Sequence, residues 1–204
     1  IMARLFGHED ILKLAKFTTV PVVNGLTDLL HPCQVMADVF TILEKRGHLN
    51  ELKVAFIGDG NNVANSWLNM ASKIPMTLHF AIPEGYDPEP QLFEKAKKNQ
   101  MSNIQIFREP SEGVQAADVI YTDVWASMGQ ESEAEKRRVD FKKFQVNEDL
   151  VKKANAACII MHCLPAHRGE EITHEVIDGP RSIVFEEAEN RLHVQKAIMV
   201  KLLT

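Results

Sequence analysis

Short apolar runs recur along this sequence with helix-like segments between them, and that alternation limits the fold more than any other feature. Val54–Ile57, Thr77–Ala81, Ile104–Phe107, Val119–Thr122 and Cys158–His162 read as strands. Asn62–Lys73, Gln91–Asn99, Glu112–Ala117, Glu133–Lys143 and Glu148–Asn155 read as helices. Strands alternating with helices imply an α/β chain: a parallel, Rossmann-like sheet with right-handed crossovers and helices on both faces. The run Cys158-Ile159-Ile160-Met161 goes straight into His162-Cys163-Leu164-Pro165. An unbroken apolar run suits a strand buried on both faces. Its C-terminal end is where open α/β sheets bind ligands, so His162 and Cys163 stand where chemistry is expected.

The flanks read as helices. His8–Phe17 is a first helix, Val20–Val23 a short strand with a turn at Asn24-Gly25, and Pro32–Arg46 a long amphipathic helix. Proline opens that helix and Gly47 follows it, the usual punctuation. A last helix runs from Glu187 to Leu203. The Ser132-x-x-Glu135 spacing predicts a capping box. From Ile1 the sequence enters helix-like residues with no signal or transit pattern, as if it began inside a larger protein.

At 204 residues the chain can bury a full-sized core in one or two domains. A net charge of -5 speaks against a nucleic-acid or anionic-membrane binder. No apolar run reaches the roughly 18 residues of a membrane span. Cys33, Cys158 and Cys163 form no CxxC pair, which predicts a reducing, cytoplasmic setting.

Several loops carry candidate chemistry. Gly58-Asp59-Gly60-Asn61-Asn62-Val63 follows the first strand of the alternating series, and its glycines let backbone N–H groups approach a ligand at a helix N-terminus. A dinucleotide fingerprint wants a small residue where Val63 stands, so an NAD-dependent dehydrogenase, with Glu84 on the ribose, is one reading. The paired amides fit a zwitterionic ligand better, with helix capping the ordinary role for one of them. Asp123 ends a strand on the ligand side and can pair with an amine, and Ser127 to Gly129 form a loop able to close. The ordinary alternative is a surface loop with a buried tryptophan. His31 and Gln34 share a helical face and together can donate to a carbonyl and accept from an NH2, although a lone histidine is more often structural. His162, Cys163 and His167 lack the further carboxylate or cysteine spacing of a zinc site, so no metal is expected.

HPCQ at His31–Gln34, DVWASMG at Asp123–Gly129, HCLP at His162–Pro165 and EAENR at Glu187–Arg191 together resemble the aspartate/ornithine carbamoyltransferase family, nearest its ornithine-using members. The likeness runs through the chain in the family's order, and the SMG loop and HCLP distinguish it from aspartate-using members.

The resemblance implies transfer of a carbamoyl group from carbamoyl phosphate to the δ-amine of L-ornithine, with no metal or organic cofactor. It assigns catalytic roles to Arg4, His31, Asp123 and Cys163. Carbamoyl phosphate would meet Arg4, His31, Pro32, Cys33, Gln34, Cys163, Leu164 and Arg191; ornithine would meet Asn62, Asp123, Ser127 and Met128. It implies a carbamoyl-phosphate-domain remnant over 1–46, an ornithine-binding domain over 47–186, and a helix over 187–204 returning to the first domain. The family's STRTR phosphate motif is not in the sequence. A parent homotrimer and an isolated fragment that cannot make citrulline are therefore expected, and a non-catalytic fragment that binds amino acid only is an alternative reading. The last helix should leave Ala197, Ile198, Val200, Leu202 and Leu203 partly uncovered.

Overall fold

The computed structural model describes residues 1–126 and 131–204. In chain order the elements are β1 (Met2–Arg4), α1 (His8–Phe17), β2 (Val23–Leu26), α2 (Pro32–Arg46), β3 (Lys53–Ile57), α3 (Asn62–Ala71), β4 (Thr77–Ala81), α4 (Pro90–Lys98) and β5 (Asn103–Phe107). There follow α5 (Pro110–Gly113), β6 (Val119–Thr122), α6 (Ala134–Asp140), α7 (Glu148–Val151), β7 (Ile159–His162), α8 (His174–Ile177) and α9 (Val184–Leu203). Among the described residues, β5-β4-β3-β6-β7 form one parallel sheet, and β1 and β2 form a separate parallel pair.

The order reverses direction beside β3, between the β4 and β6 sides, which makes that edge the switch point at which α/β sheets open a crevice. Both faces of the central strands are covered, which explains why they are apolar throughout rather than alternating. One face carries Phe56, Phe80 and Tyr121 against Trp67 of α3 and Ile42 of α2. Phe56 and Tyr121 stack at 5.5 Å with ring planes 14° apart. The other face carries Ile57, Ile120 and Ile160 against Phe144 and Val176. Phe56 is fully buried, so truncation to alanine would cost about 3–5 kcal/mol.

Helices α2 and α9 pack together. Asn190 donates to Thr41 Oγ1 at 3.0 Å and to Glu44 Oε2 at 2.6 Å across that seam. The distal face of α9 is open: Val200, Leu202 and Leu203 are exposed, while Ala197 and Ile198 line a groove with Met36 and Phe40. No described helix is long and apolar enough to cross a membrane.

Several elements differ from the sequence reading, each for a local reason. Asn24-Gly25 lies inside β2 rather than in a turn, and Val20–Val22 precede the strand. Gly25 is small because β1 crosses close by: an added Cβ would sit 3.1 Å from the Ala3 carbonyl oxygen. Strand β1 was not anticipated, because its partner follows a helix instead of a hairpin turn. Segments 112–117 and 148–155 shrink to single turns, since Val114 and Val151 turn into the core at once. The predicted capping box is not formed. Ser132 lies in a 3-10 turn, the start of α6 has no side-chain cap, and Glu135 pairs with Arg138 at 2.7 Å. Helix α9 begins at Val184, not Glu187, which puts Glu187 inside its first turn.

Candidate active site

One cleft of about 320 Å³ opens at the C-terminal ends of β3, β6 and β7, and β1, β2 and α2 wall its other side. Arg4, His31, Gln34, Asn62, Asp123, Cys163, Leu164 and Arg191 all line it, with Thr27, Asp28 and Asn61 beside them. Pro32 and Cys33 do not. Pro32 faces a separate hollow with Val35 and Met36, and the Cys33 thiol donates to the Asn24 carbonyl at 3.3 Å. Successive residues at a helix start point in different directions, so HPCQ presents only its first and last side chains to the cleft. Ser127 and Met128 lie outside the described residues.

The start of α3 fastens the two walls together. Asn62 donates to the Thr27 carbonyl at 2.7 Å, Asn65 to the Leu29 carbonyl at 3.2 Å, and Ser66 Oγ accepts the His31 backbone N–H at 2.7 Å. Asn61 is the cap: its oxygen accepts from Val63 N and Ala64 N. Its amide nitrogen then reaches across to Asp123 Oδ2 at 2.7 Å.

That bond begins a chain of contacts along the cleft floor. Asp123 Oδ1 accepts from the Val124 backbone at 2.8 Å and from the Cys163 thiol at 3.0 Å. Burial, the neighbouring Asp123 charge and this hydrogen bond hold the Cys163 thiol well above its usual range. It is thus a protonated donor at neutral pH, and neither a base nor a thiolate nucleophile.

The corner after β7 is set by His162. The Leu164 N–H donates to His162 Nδ1 at 2.9 Å, so the ring proton sits on Nε2 and is given to Glu171 Oε1 at 3.0 Å. Both partners are fully buried, and the His167 backbone also donates to Glu171. Leu164 adopts φ 53°, a left-handed conformation that a leucine holds only where its surroundings impose it. Asp123, His162 and Cys163 bring ligand-type atoms within 4.8 Å of one another, but both His162 nitrogens are already engaged in hydrogen bonds.

On the opposite wall His31 is kept neutral. Burial, then Arg191 and Arg4, lower its pKa to about 3. It can donate only as a neutral imidazole, whose proton is not lost at working pH. Gln34 is fully buried with its nitrogen turned away from the cleft, while its Oε1 has no hydrogen-bond partner among the described residues. The result is a pocket with cationic donors at one end and a carboxylate with a thiol at the other.

The glycine loop does not serve a dinucleotide. Gly58 N donates to Ala81 O at 3.0 Å and Gly60 N to Tyr86 O at 2.9 Å. A Cβ at residue 60 would lie 2.3 Å from Pro88 N, so this glycine permits backbone packing, not pyrophosphate binding. Sequence reasoning gave no role to Asp38, Tyr121, Glu171 or Glu187, although Glu187 belonged to a quoted motif. The signal available was a carboxylate one helical turn from Gln34, on a face that must be buried.

Comparisons with known proteins agree with the fold. Residues 50–202 match the family model for the aspartate/ornithine carbamoyltransferase Asp/Orn binding domain, and residues 1–44 match that for the carbamoyl-P binding domain. The ornithine carbamoyltransferase of Syntrophus aciditrophicus is 54% identical over 199 residues, covering 98% of this chain and 66% of that protein. That of Thermococcus kodakarensis is 54% identical over 202 residues, covering 98% and 64%. The solved structure of the Pyrococcus furiosus enzyme superimposes with a TM-score of 0.93 at 52% identity, covering 98% of this chain and 64% of that one. The Thermus thermophilus structure gives 0.90 at 45% identity, covering 100% and 66%. The chain thus spans about two thirds of the length of these relatives.

Proposed function

Because the chain belongs to the aspartate/ornithine carbamoyltransferase family, we propose that it forms the site at which the carbamoyl group of carbamoyl phosphate passes to the δ-amine of L-ornithine, giving citrulline and phosphate. The observation that carries this reading is the convergence of Arg4, His31, Gln34 and Arg191 with Asn62, Asp123 and Cys163 on one cleft.

The attacking amine resembles a lysine amine with a free pKa of about 10.4, so near pH 7.4 only about one molecule in a thousand is neutral. That penalty is roughly 4 kcal/mol, and the site has to offset it. The ammonium gives up its proton to solvent before attack. Asp123 then orients the neutral amine by accepting a hydrogen bond from one of its N–H groups, while the Cys163 thiol, itself a donor to Asp123, fixes which carboxylate lone pairs face the amine. Asn62 meets the amino-acid end, together with Ser127 and Met128.

As nitrogen attacks the carbonyl carbon, negative charge grows on the carbonyl oxygen. Arg4 and neutral His31 donate to it, and preorganised donors of this kind supply much of the acceleration. Gln34 Oε1 accepts from the carbamoyl NH2, and Leu164 lies between the two substrates. Collapse of the tetrahedral intermediate breaks the carbon–oxygen bond to phosphate, whose charge Arg191 and Arg4 balance. The leaving phosphate takes up the one excess proton that the attacking nitrogen sheds, so that citrulline and hydrogen phosphate are the products. No step calls for a metal or organic cofactor.

The relatives' names point to the same substrate pair. The free thiols fit a cytoplasmic, reducing compartment, and the open faces of α1 and α9 fit burial in a homotrimer. A citrulline assay on the sequence in its full-length context tests the proposal, with ornithine expected to outperform putrescine and acetylornithine. Equal turnover of all three amines, or none, would overturn it.

A further inference from the structure

Behind Gln34 lies a pair of acids that the mechanism above does not use. Asp38, one helical turn along α2, and Glu187, in the first turn of α9, are both fully buried. Gln34 Nε2 donates to Asp38 Oδ1 at 2.8 Å and to Glu187 Oε1 at 3.1 Å. Tyr121 OH donates to Glu187 Oε1 at 3.2 Å, and the His162 backbone N–H to Glu187 Oε2 at 2.9 Å. The two carboxyl groups are within hydrogen-bonding reach of each other. No lysine or arginine forms an ion pair with either among the described residues, and Asp38 Oδ2 accepts from no donor. Two adjacent buried carboxylates without a paired cation cannot both stay ionised. A proton between Glu187 and Asp38 Oδ2 supplies the missing donor.

We propose that Asp38 and Glu187 share a single proton and act as positioning residues: together they hold the Gln34 NH2 away from the cleft, so that its oxygen selects a ligand bearing an NH2 group over one bearing a methyl group.

Both amide hydrogens of Gln34 are fixed by acceptors that have nothing else to offer it, so the amide cannot rotate by half a turn without facing oxygen to oxygen. What remains for the cleft is Oε1, buried and short of a donor. A carbamoyl NH2 satisfies it, whereas an acetyl methyl leaves it unpaired. Burial, followed by repulsion from Asp38, raises Glu187 well above the ordinary carboxylate range, in keeping with the retained proton. The pair also joins three elements that carry cleft residues: α2 with His31 and Gln34, the end of β7 with Cys163, and α9 with Arg191.

The selectivity part rests on the substrate reading above; the proton and the amide orientation do not. The first experiment therefore needs no turnover. Infrared spectra of the 204-residue chain at neutral pH should show the carbonyl band of a buried protonated carboxyl, and Asp38→Asn should abolish it. The asparagine keeps an acceptor for Gln34 and offers its NH2 to an ionised Glu187. Side-chain amide NMR signals of Gln34 should be protected and distinct in the unmodified chain and in Asp38→Asn, and should average in Asp38→Ala. Absence of the band, or unchanged Gln34 signals in Asp38→Ala, would overturn the proposal.

In the full-length context, preference for carbamoyl phosphate over acetyl phosphate as a competing ligand should fall by roughly tenfold in Asp38→Ala, the scale of one unpaired buried acceptor, and return in Asp38→Asn. Gln34→Met should lose the preference while keeping the band, which covers the case in which Asp38→Ala fails to fold. Preference retained in Gln34→Met would refute the selectivity claim. No turnover by the unmodified full-length protein, with the band intact, would instead refute the substrate reading.

Discussion

The thiol of Cys163 donates a hydrogen bond to Oδ1 of Asp123 at 3.0 Å, and the same carboxylate is braced from Asn61 at 2.7 Å. Strand β7 and the loop after β6 thus meet through a protonated sulfur. The reverse arrangement, a thiolate beside a carboxylate, would set two negative charges in contact in a poorly solvated floor.

Cys163 should accordingly resist alkylation. Burial raises its pKa most and the Asp123 charge comes next, so Asp123→Asn should lower it and speed the reaction. Rates with iodoacetamide across pH 7 to 9 measure this, with Cys163→Ala as the control for the two other cysteines. A Cys163 that reacts as fast as a free thiol in the unmodified protein would contradict the geometry.

His31→Ala should lower kcat by about a hundredfold in the full-length context, the scale for one oxyanion donor, with a smaller change in the KM for carbamoyl phosphate. Because burial and the two arginines hold the imidazole near a pKa of about 3, the pH profile of kcat/KM should show no step from this residue between pH 5 and 8. A bell limb that disappears on mutation of His31 would show instead that it titrates during turnover.

Most of the sheet and the long helices were legible because their signals are local. Pro32 and Gly47 delimit α2, and the Cys158–Met161 run marks a doubly covered strand. What stayed hidden depends on contacts distant in sequence. β1 exists only because β2 returns beside it after α1. Glu187 lies 153 residues from Gln34, and nothing near either residue announces their hydrogen bond. Pro32 and Cys33 show the converse: a motif names four adjacent residues, but helix geometry turns the middle two away from the cleft.

The carboxyl pair should leave a mark on stability. Asp38 is pushed up to about 7, chiefly by burial, against a value near 3.9 when unfolded. Tyr121, Cys163 and Arg191 are the other titratable groups around the pair. The folded chain therefore keeps a proton that the unfolded chain releases, so this contribution is complete below about pH 4 and is lost as pH rises through about 7. The gap in unfolding free energy between the unmodified chain and Asp38→Asn should shift against the unmodified chain over that window, by on the order of 4 kcal/mol at most. Urea titrations at pH 4.5 and 8 measure it; a constant gap would mean that Asp38 ionises normally.

Arg137 should matter more to the shape of the cleft than its place outside it implies. It is buried on α6, pairs with Asp59 at 3.0 Å and donates to the Trp125 carbonyl at 2.8 Å. Its guanidinium also lies 4.9 Å from the centre of the Tyr86 ring. One side chain thus ties the loop carrying Asp59 to the loop that begins at Asp123. Burial already lifts the Asp59 pKa to about 6 even with the arginine present. Arg137→Met would leave that carboxyl buried without a partner and remove a donor from Trp125, a loss of about 3–5 kcal/mol. Asp59→Asn added to Arg137→Met should restore part of the loss by removing the stranded charge, though not the contact to Trp125. A double-mutant cycle read by urea denaturation separates the two contributions, and strictly additive losses would mean that the ion pair contributes nothing beyond packing.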